Sequence, residues 1–184
     1  QCFFDTGLFE VDPTGATPAR SIRDDLGPGC GLNGMDWGPD GRLYGPRWFN
    51  GEVISVDVET GESRTEASGF NVPAAVKFDS MGRLHILDTG SGDVIRREED
   101  GKQTVIATLS TGLDNFAFDD ADNLFVSSYA DGFISKVTSS GVEEILPGGI
   151  SHPGALVIHN DTVVIADIQS VRAIDAATGE DIWT

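Results

Sequence analysis

The chain has 184 residues, with 39% hydrophobic and 23% charged, a balance that suits one globular domain and excludes intrinsic disorder. Its 30 acidic residues against 12 basic ones leave a net charge of -18. That charge excludes phosphate backbones and anionic membranes as natural partners, and it favours cations.

The chain opens on Cys2–Gly7, whose pattern matches Leu84–Gly90 and reads as the end of a second strand. Leu8–Gly15 then reads as a third strand and its turn, so residues 1–29 form a partial unit. From residue 30 a pattern recurs: an apolar stretch, a short polar turn, and a second apolar stretch. Its copies are Gly34–Tyr44, Ala75–His85 and Asn115–Phe125, with a weaker fourth copy at Gly154–Ile165. Trp37, Phe78 and Phe118 coincide, as do Leu43, Leu84 and Leu124, and Gly41 and Gly82 stand 41 positions apart. Each copy is followed by a third strand candidate, at Glu52–Asp57, Asp93–Arg97, Phe133–Val137 and Val171–Asp175.

A period near 40 with four strands per unit predicts an all-β chain of β-propeller blades. The whole blades are expected at 30–69, 70–109 and 110–150, with a further partial blade at 151–184 whose fourth strand barely begins. The array is about four to five blades long. A six-bladed ring would need ~70 more residues, supplied by a missing segment or by a second chain. Cys2 and Cys30 are read as two buried thiols, the alternative being a disulfide that would suit an exported protein.

In each blade the first two strands form a hairpin. Counting seven residues outward from the turn near Asp40 sets Asn33 beside Arg47. The same count pairs Ala74 with Asp88, Asp114 with Ser128, and Pro153 with Asp167. All eight are expected at one rim, and the first member of each pair opens a strand that lines the channel. Asn33 and the carboxylates of Asp88, Asp114 and Asp167 are oxygen donors of the kind that hold Ca²⁺ or Mg²⁺. Asp88 and Asp167 equally suit turn caps. Arg47 and Trp48 could hold a carboxylate or a sugar face, or pack between blades. His152 precedes the fourth inner strand as a further binding candidate or a loop residue. Asp119–Asn123 reads as an acidic turn, since it lacks the glycine and distal glutamate of a calcium loop. No GxSxG, HExxH or phosphate-binding glycine loop is present.

Gly31–Gly41 resembles the inner-strand motif of the SMP-30/gluconolactonase/LRE-like six-bladed propellers. Leu113–Asp119 with Asn123–Tyr129 resembles the segment that carries this family's metal-bound aspartate. The resemblance implies a divalent cation (Ca²⁺, or Mg²⁺, Mn²⁺ or Zn²⁺) held by Asn33 and Asp114, with Asp114 as the catalytic residue. It implies hydrolysis of a small lactone or related ester. The repeat pattern is also similar to NHL and strictosidine-synthase-like propellers, which implies the alternative of a non-catalytic propeller that binds a ligand or protein.

Overall fold

The computed structural model describes residues 6–29 and 31–184. The two cysteines, Cys2 and Cys30, lie outside the described residues, and so does the strand end expected before Gly7.

The described chain is built almost wholly of short antiparallel strands. β1 (Leu8–Glu10) and β2 (Arg20–Arg23) form a two-stranded sheet. Four sheets of four strands follow. The first holds β3 (Asp36–Trp37), β4 (Leu43–Arg47), β5 (Glu52–Val56) and β6 (Ser63–Ser68). The second holds β7 (Pro73–Phe78), β8 (Leu84–Asp88), β9 (Asp93–Arg97) and β10 (Gln103–Thr108). The third holds β11 (Leu113–Phe118), β12 (Leu124–Ser128), β13 (Ile134–Thr138) and β14 (Gly141–Leu146). The fourth holds β15 (Leu156–His159), β16 (Thr162–Ala166), β17 (Val171–Asp175) and β18 (Asp181–Trp183). In each sheet the strands pair in chain order. The last sheet has a short fourth strand, β18, where the sequence has a fourth strand begin.

The repeat residues sit where the pattern demands. Trp37 faces Leu43, Phe78 faces Leu84, and Phe118 faces Leu124, each pair closing a hairpin just inside its turn. The turns need one residue at positive φ, supplied by Gly41 and Gly82 in two copies and by Asp122 and Asn160 in the others. Asp and Asn are the side chains that best tolerate that region. Asp122 also accepts bonds from the Ser80 amide (2.9 Å) and hydroxyl (2.5 Å) one blade away. In the same turn Asp119 accepts from the backbone of Ala121 and Asn123 and from the Asn123 amide, which makes Asp119–Asn123 a closed acidic turn.

Four apolar clusters lie between successive sheets. Leu8 and Leu26 pack with Ile54 and Val56; Tyr44 and Val53 pack with Val76, Ile86 and Ile95. Ala75, Leu87 and Val94 pack with Phe116 and Val126; Phe125 and Ile134 pack with Leu156, Val163 and Ile165. Every inner sheet is thus apolar on both faces, as a blade must be. Burying each such side chain contributes ~1.5–3 kcal/mol, so the core is a series of seams between blades.

The inner strands also touch directly. The Gly34 amide donates to the Ala74 carbonyl (3.0 Å) and the Val76 amide donates to the Gly34 carbonyl (2.8 Å). A Cβ at Gly34 would lie 2.6 Å from the Ala75 Cβ. Only glycine permits that approach. No helix among the described residues is long and apolar enough to cross a membrane.

Candidate functional site

The inner-strand hairpins carry a bulge that outward counting cannot see. Leu113 faces Ser128 and Asn115 faces Ser127, so Asp114 has no opposing residue. Likewise Pro73 faces Asp88 and Ala75 faces Leu87, which leaves Ala74 extra. In the first full blade Leu32 bridges Arg47 while Asp36 faces Tyr44, a shift of one residue across the stretch that holds Asn33. The expected side-by-side pairs Asn33–Arg47, Ala74–Asp88 and Asp114–Ser128 are therefore corrected to Leu32–Arg47, Pro73–Asp88 and Leu113–Ser128. A bulge sets two residues against one and re-aims the side chain of the extra one.

Asn33 and Asp114 both line one cavity of about 920 Å³. Leu32, Met35, Trp48 and Ile168 contribute apolar wall, and Lys77, Asn115, Tyr129 and His152 contribute polar groups. Burial pushes the Asp114 carboxyl above the ordinary aspartate value, because desolvation disfavours the charged form. No described residue donates a hydrogen bond to its carboxylate. Gly154 leaves it room, since a Cβ there would lie 3.2 Å from Asp114 Oδ2. Beneath it, the Ser127 hydroxyl lies 2.8 Å from the Gly154 carbonyl and 3.1 Å from the Asn115 carbonyl, which ties the last two blades together under the cavity.

The other expected site residues divide into two groups. Trp48, the first residue of a short 3₁₀ turn (Trp48–Asn50), lines the cavity. His152 does too, with its ring 4.7 Å from that of Tyr129 and its Nδ1 3.1 Å from the Ser151 hydroxyl. Asp167 reaches the wall, but its carboxylate accepts from the backbone amides of Ser151, His152 and Ile168. Desolvation pushes that carboxyl up, and those amides outweigh it and hold it below the usual value.

Arg47 and Asp88, offered by the sequence as binding candidates or else as a residue packed between blades (Arg47) and a turn cap (Asp88), are not among the residues that line the cavity. Arg47 pairs with Glu52 at 2.8 Å and donates to the Pro28 carbonyl at 2.6 Å. Asp88, 3% exposed, accepts from the amides of Asn71 (2.7 Å), Val72 (2.8 Å) and Gly90 (3.1 Å). It caps the loop that enters its blade.

Lys77, Asn115 and Tyr129 were missed by sequence reasoning. Lys77 had a legible signal, being the one charged residue of the apolar strand Pro73–Phe78; its ammonium donates to the Met35 carbonyl at 3.2 Å. Among the described residues no cluster of three or more His, Cys, Asp or Glu side chains could hold a metal. A carboxylate and an amide oxygen, the carboxylate without a competing hydrogen bond, are nonetheless hard donors that fit a sparsely ligated, water-rich cation of the Mg²⁺ or Ca²⁺ type.

Compared with known proteins, the chain matches no family model and no curated protein. Solved structures do match. The virginiamycin B lyase of Staphylococcus aureus superposes with a TM-score of 0.75 at 16% identity, over 97% of this chain and 63% of the lyase. A gluconolactonase of Xanthomonas campestris gives 0.70 at 13% identity, over 81% of this chain and 59% of that one. A chain of a nidogen/laminin complex gives 0.62 at 14% identity, over 90% and 82%. The fold is a β-propeller. At these identities the likeness is one of fold, and propellers host many unrelated functions. The chain spans about 63% of the length of the lyase it matches.

Proposed function

We propose that the channel mouth binds a small lactone or related ester and hydrolyses it, with Asp114 as the general base. One observation carries this reading: a carboxylate on a bulge, half-buried, raised in pKa and without a hydrogen-bond partner, faces a cavity of ligand size. A carboxylate with a raised pKa is a better proton acceptor. Asp114 would take a proton from a water as the water oxygen bonds to the substrate carbonyl carbon. The ring C–O bond then breaks, and the proton returns to the departing alkoxide. Asn33 and Asp114 would hold a divalent cation, which when bound supplies polarisation of the carbonyl. Trp48, Met35 and Tyr129 would hold the substrate's apolar part and exclude water.

The test is ring opening of a panel of lactones followed by base uptake at constant pH, with and without Ca²⁺ or Mg²⁺. Asp114→Asn is expected to lower the rate about 10²–10⁴-fold, and Asn33→Ala to weaken cation binding in a calorimetric titration. No turnover by the unmodified chain, together with no cation-dependent shift in melting, would overturn the reading.

A second reading is a propeller that only binds its ligand. It is favoured by the way Arg47, Asp88 and Asp167 are engaged within their own loops and blades. In that case the Asn33→Ala, Asp114→Ala double variant keeps its ligand affinity.

A further inference from the structure

Among the described residues, Lys77 is the only lysine or arginine in the cavity wall. Most of the chain's 12 basic side chains pair with a carboxylate, as Arg42, Arg47 and Lys136 do. Lys77 forms no ion pair among the described residues, although the chain holds 30 acids. The acid at its own position one blade earlier is Asp36, whose carboxylate accepts from the backbone amides of Trp37 (2.9 Å) and Phe78 (3.0 Å). The Lys77 ammonium donates to the Met35 carbonyl at 3.2 Å, and an ammonium has further N–H donors to give. A second donor stands beside it. Asn115, on the inner strand of the next sheet, is 9% exposed and accepts from the Phe116 amide through Oδ1 at 2.9 Å. Among the described residues its Nδ2 donates to none. That nitrogen lies 3.0 Å from the point where a Gly34 Cβ would stand, so both donors meet at the Gly34–Met35 segment.

We propose that Lys77 and Asn115 together receive a single carboxylate group, so that the ligand is a small lactone carrying a carboxylate close to its ring. This deepens the hydrolytic reading and rests on it for the ring; the carboxylate receptor itself needs no turnover. One carboxylate oxygen takes the ammonium, and the other takes the Asn115 amide, whose N–H otherwise lacks a protein acceptor. The pair suits a carboxylate better than a phosphate. One cation balances one negative charge, and the Asp114 carboxyl in the same cavity opposes a second. The net charge of -18 disfavours anions in general, so a local cation decides which of them the cavity admits. Arg47, the other carboxylate candidate, is already paired with Glu52. Depth sets the size of the ligand. Met35 is two residues along the chain from Asn33, and Asn115 is one from Asp114. At about 3.3 Å per residue, the receptor lies roughly 3–7 Å farther from the rim than Asn33 and Asp114. A carboxylate bonded directly to a small lactone ring, or one carbon away, spans that distance.

The test uses ligands that cannot be hydrolysed: calorimetric titration of the full chain with tetrahydrofuran-2-carboxylate and with its neutral carboxamide. The carboxylate is expected to bind about tenfold more tightly or better. Lys77→Met keeps the side-chain length and should bring the two affinities together, whereas Lys77→Arg should keep the preference. Asn115→Asp keeps an acceptor for the Phe116 amide but replaces the donor with a negative charge, and should reverse the preference. Should Lys77→Met not fold, the preference in the unmodified chain must still fade between about 0.05 M and 0.5 M NaCl. Equal affinity for the two ligands, binding of neither, or a preference that survives Lys77→Met would overturn the proposal. The hydrolytic reading fails separately. A chain that prefers the carboxylate but opens no lactone keeps the receptor and loses the catalysis. One that opens lactones equally well with and without a carboxylate keeps the catalysis and loses the receptor.

Discussion

At the scale of single residues, the candidate site depends on what each carboxylate touches. Asp88 accepts three backbone amides and Asp114 accepts none. Asp88→Ala leaves those buried amides without an acceptor and is expected to cost about 2–3 kcal/mol in urea unfolding. Asp114→Asn should act the other way. Burial raises its folded pKa above 3.8, so the folded chain holds this proton more tightly than the unfolded chain. Below that ordinary value both states are protonated and nothing is lost. As pH rises through it and past the raised folded value, the unfolded chain loses the proton first and stability falls. At pH 7 the asparagine variant should therefore be the more stable of the two. Unfolding curves collected down to acid pH should converge for the two proteins. Asn33 and Asp114 were legible as candidates because each is a polar residue opening an apolar strand. The engagement of Arg47 and Asp88 was not, because their partners Glu52, Pro28, Asn71 and Val72 meet them only when loops fold back on the strands.

At the scale of elements, strand position was legible and register at the channel end was not. A hairpin turn announces itself through Gly or Asp and the flanking alternation, and Phe78–Leu84 and Phe118–Leu124 paired as expected. A bulge changes no residue type, so outward counting passes over it and every pair beyond it slips by one. That slip aims Asp114 into the cavity. The seam between the inner strands at Gly34 and Ala75 makes a sharper demand. Gly34→Val would drive a side chain into the Ala75 methyl and is expected to destabilise by about 2–3 kcal/mol in urea unfolding. Gly82→Asn, at a turn position that Asp122 and Asn160 fill in sister blades, should change stability by under about 1 kcal/mol.

At the scale of the whole molecule, a net charge of -18 on 184 residues opposes compaction through self-repulsion. Melting temperature should therefore rise between about 0.01 M and 0.5 M NaCl, where the screening length falls from roughly 30 Å to a few Å; differential scanning calorimetry across that range checks it. The sequence alone determined the blade repeat, because a sheet buried on both faces must repeat its apolar pattern each time another sheet stacks on it. It determined the acidic surface, and it marked Asn33 and Asp114 as polar residues at the start of apolar strands. Only the tertiary structure decided which of the polar rim residues face the cavity, since that turns on one extra residue per hairpin. Nor could the sequence distinguish Val171 from Val53 or Val94, which occupy equivalent positions in the repeat. What separates them is whether another sheet lies against them, and burial depends on that neighbour.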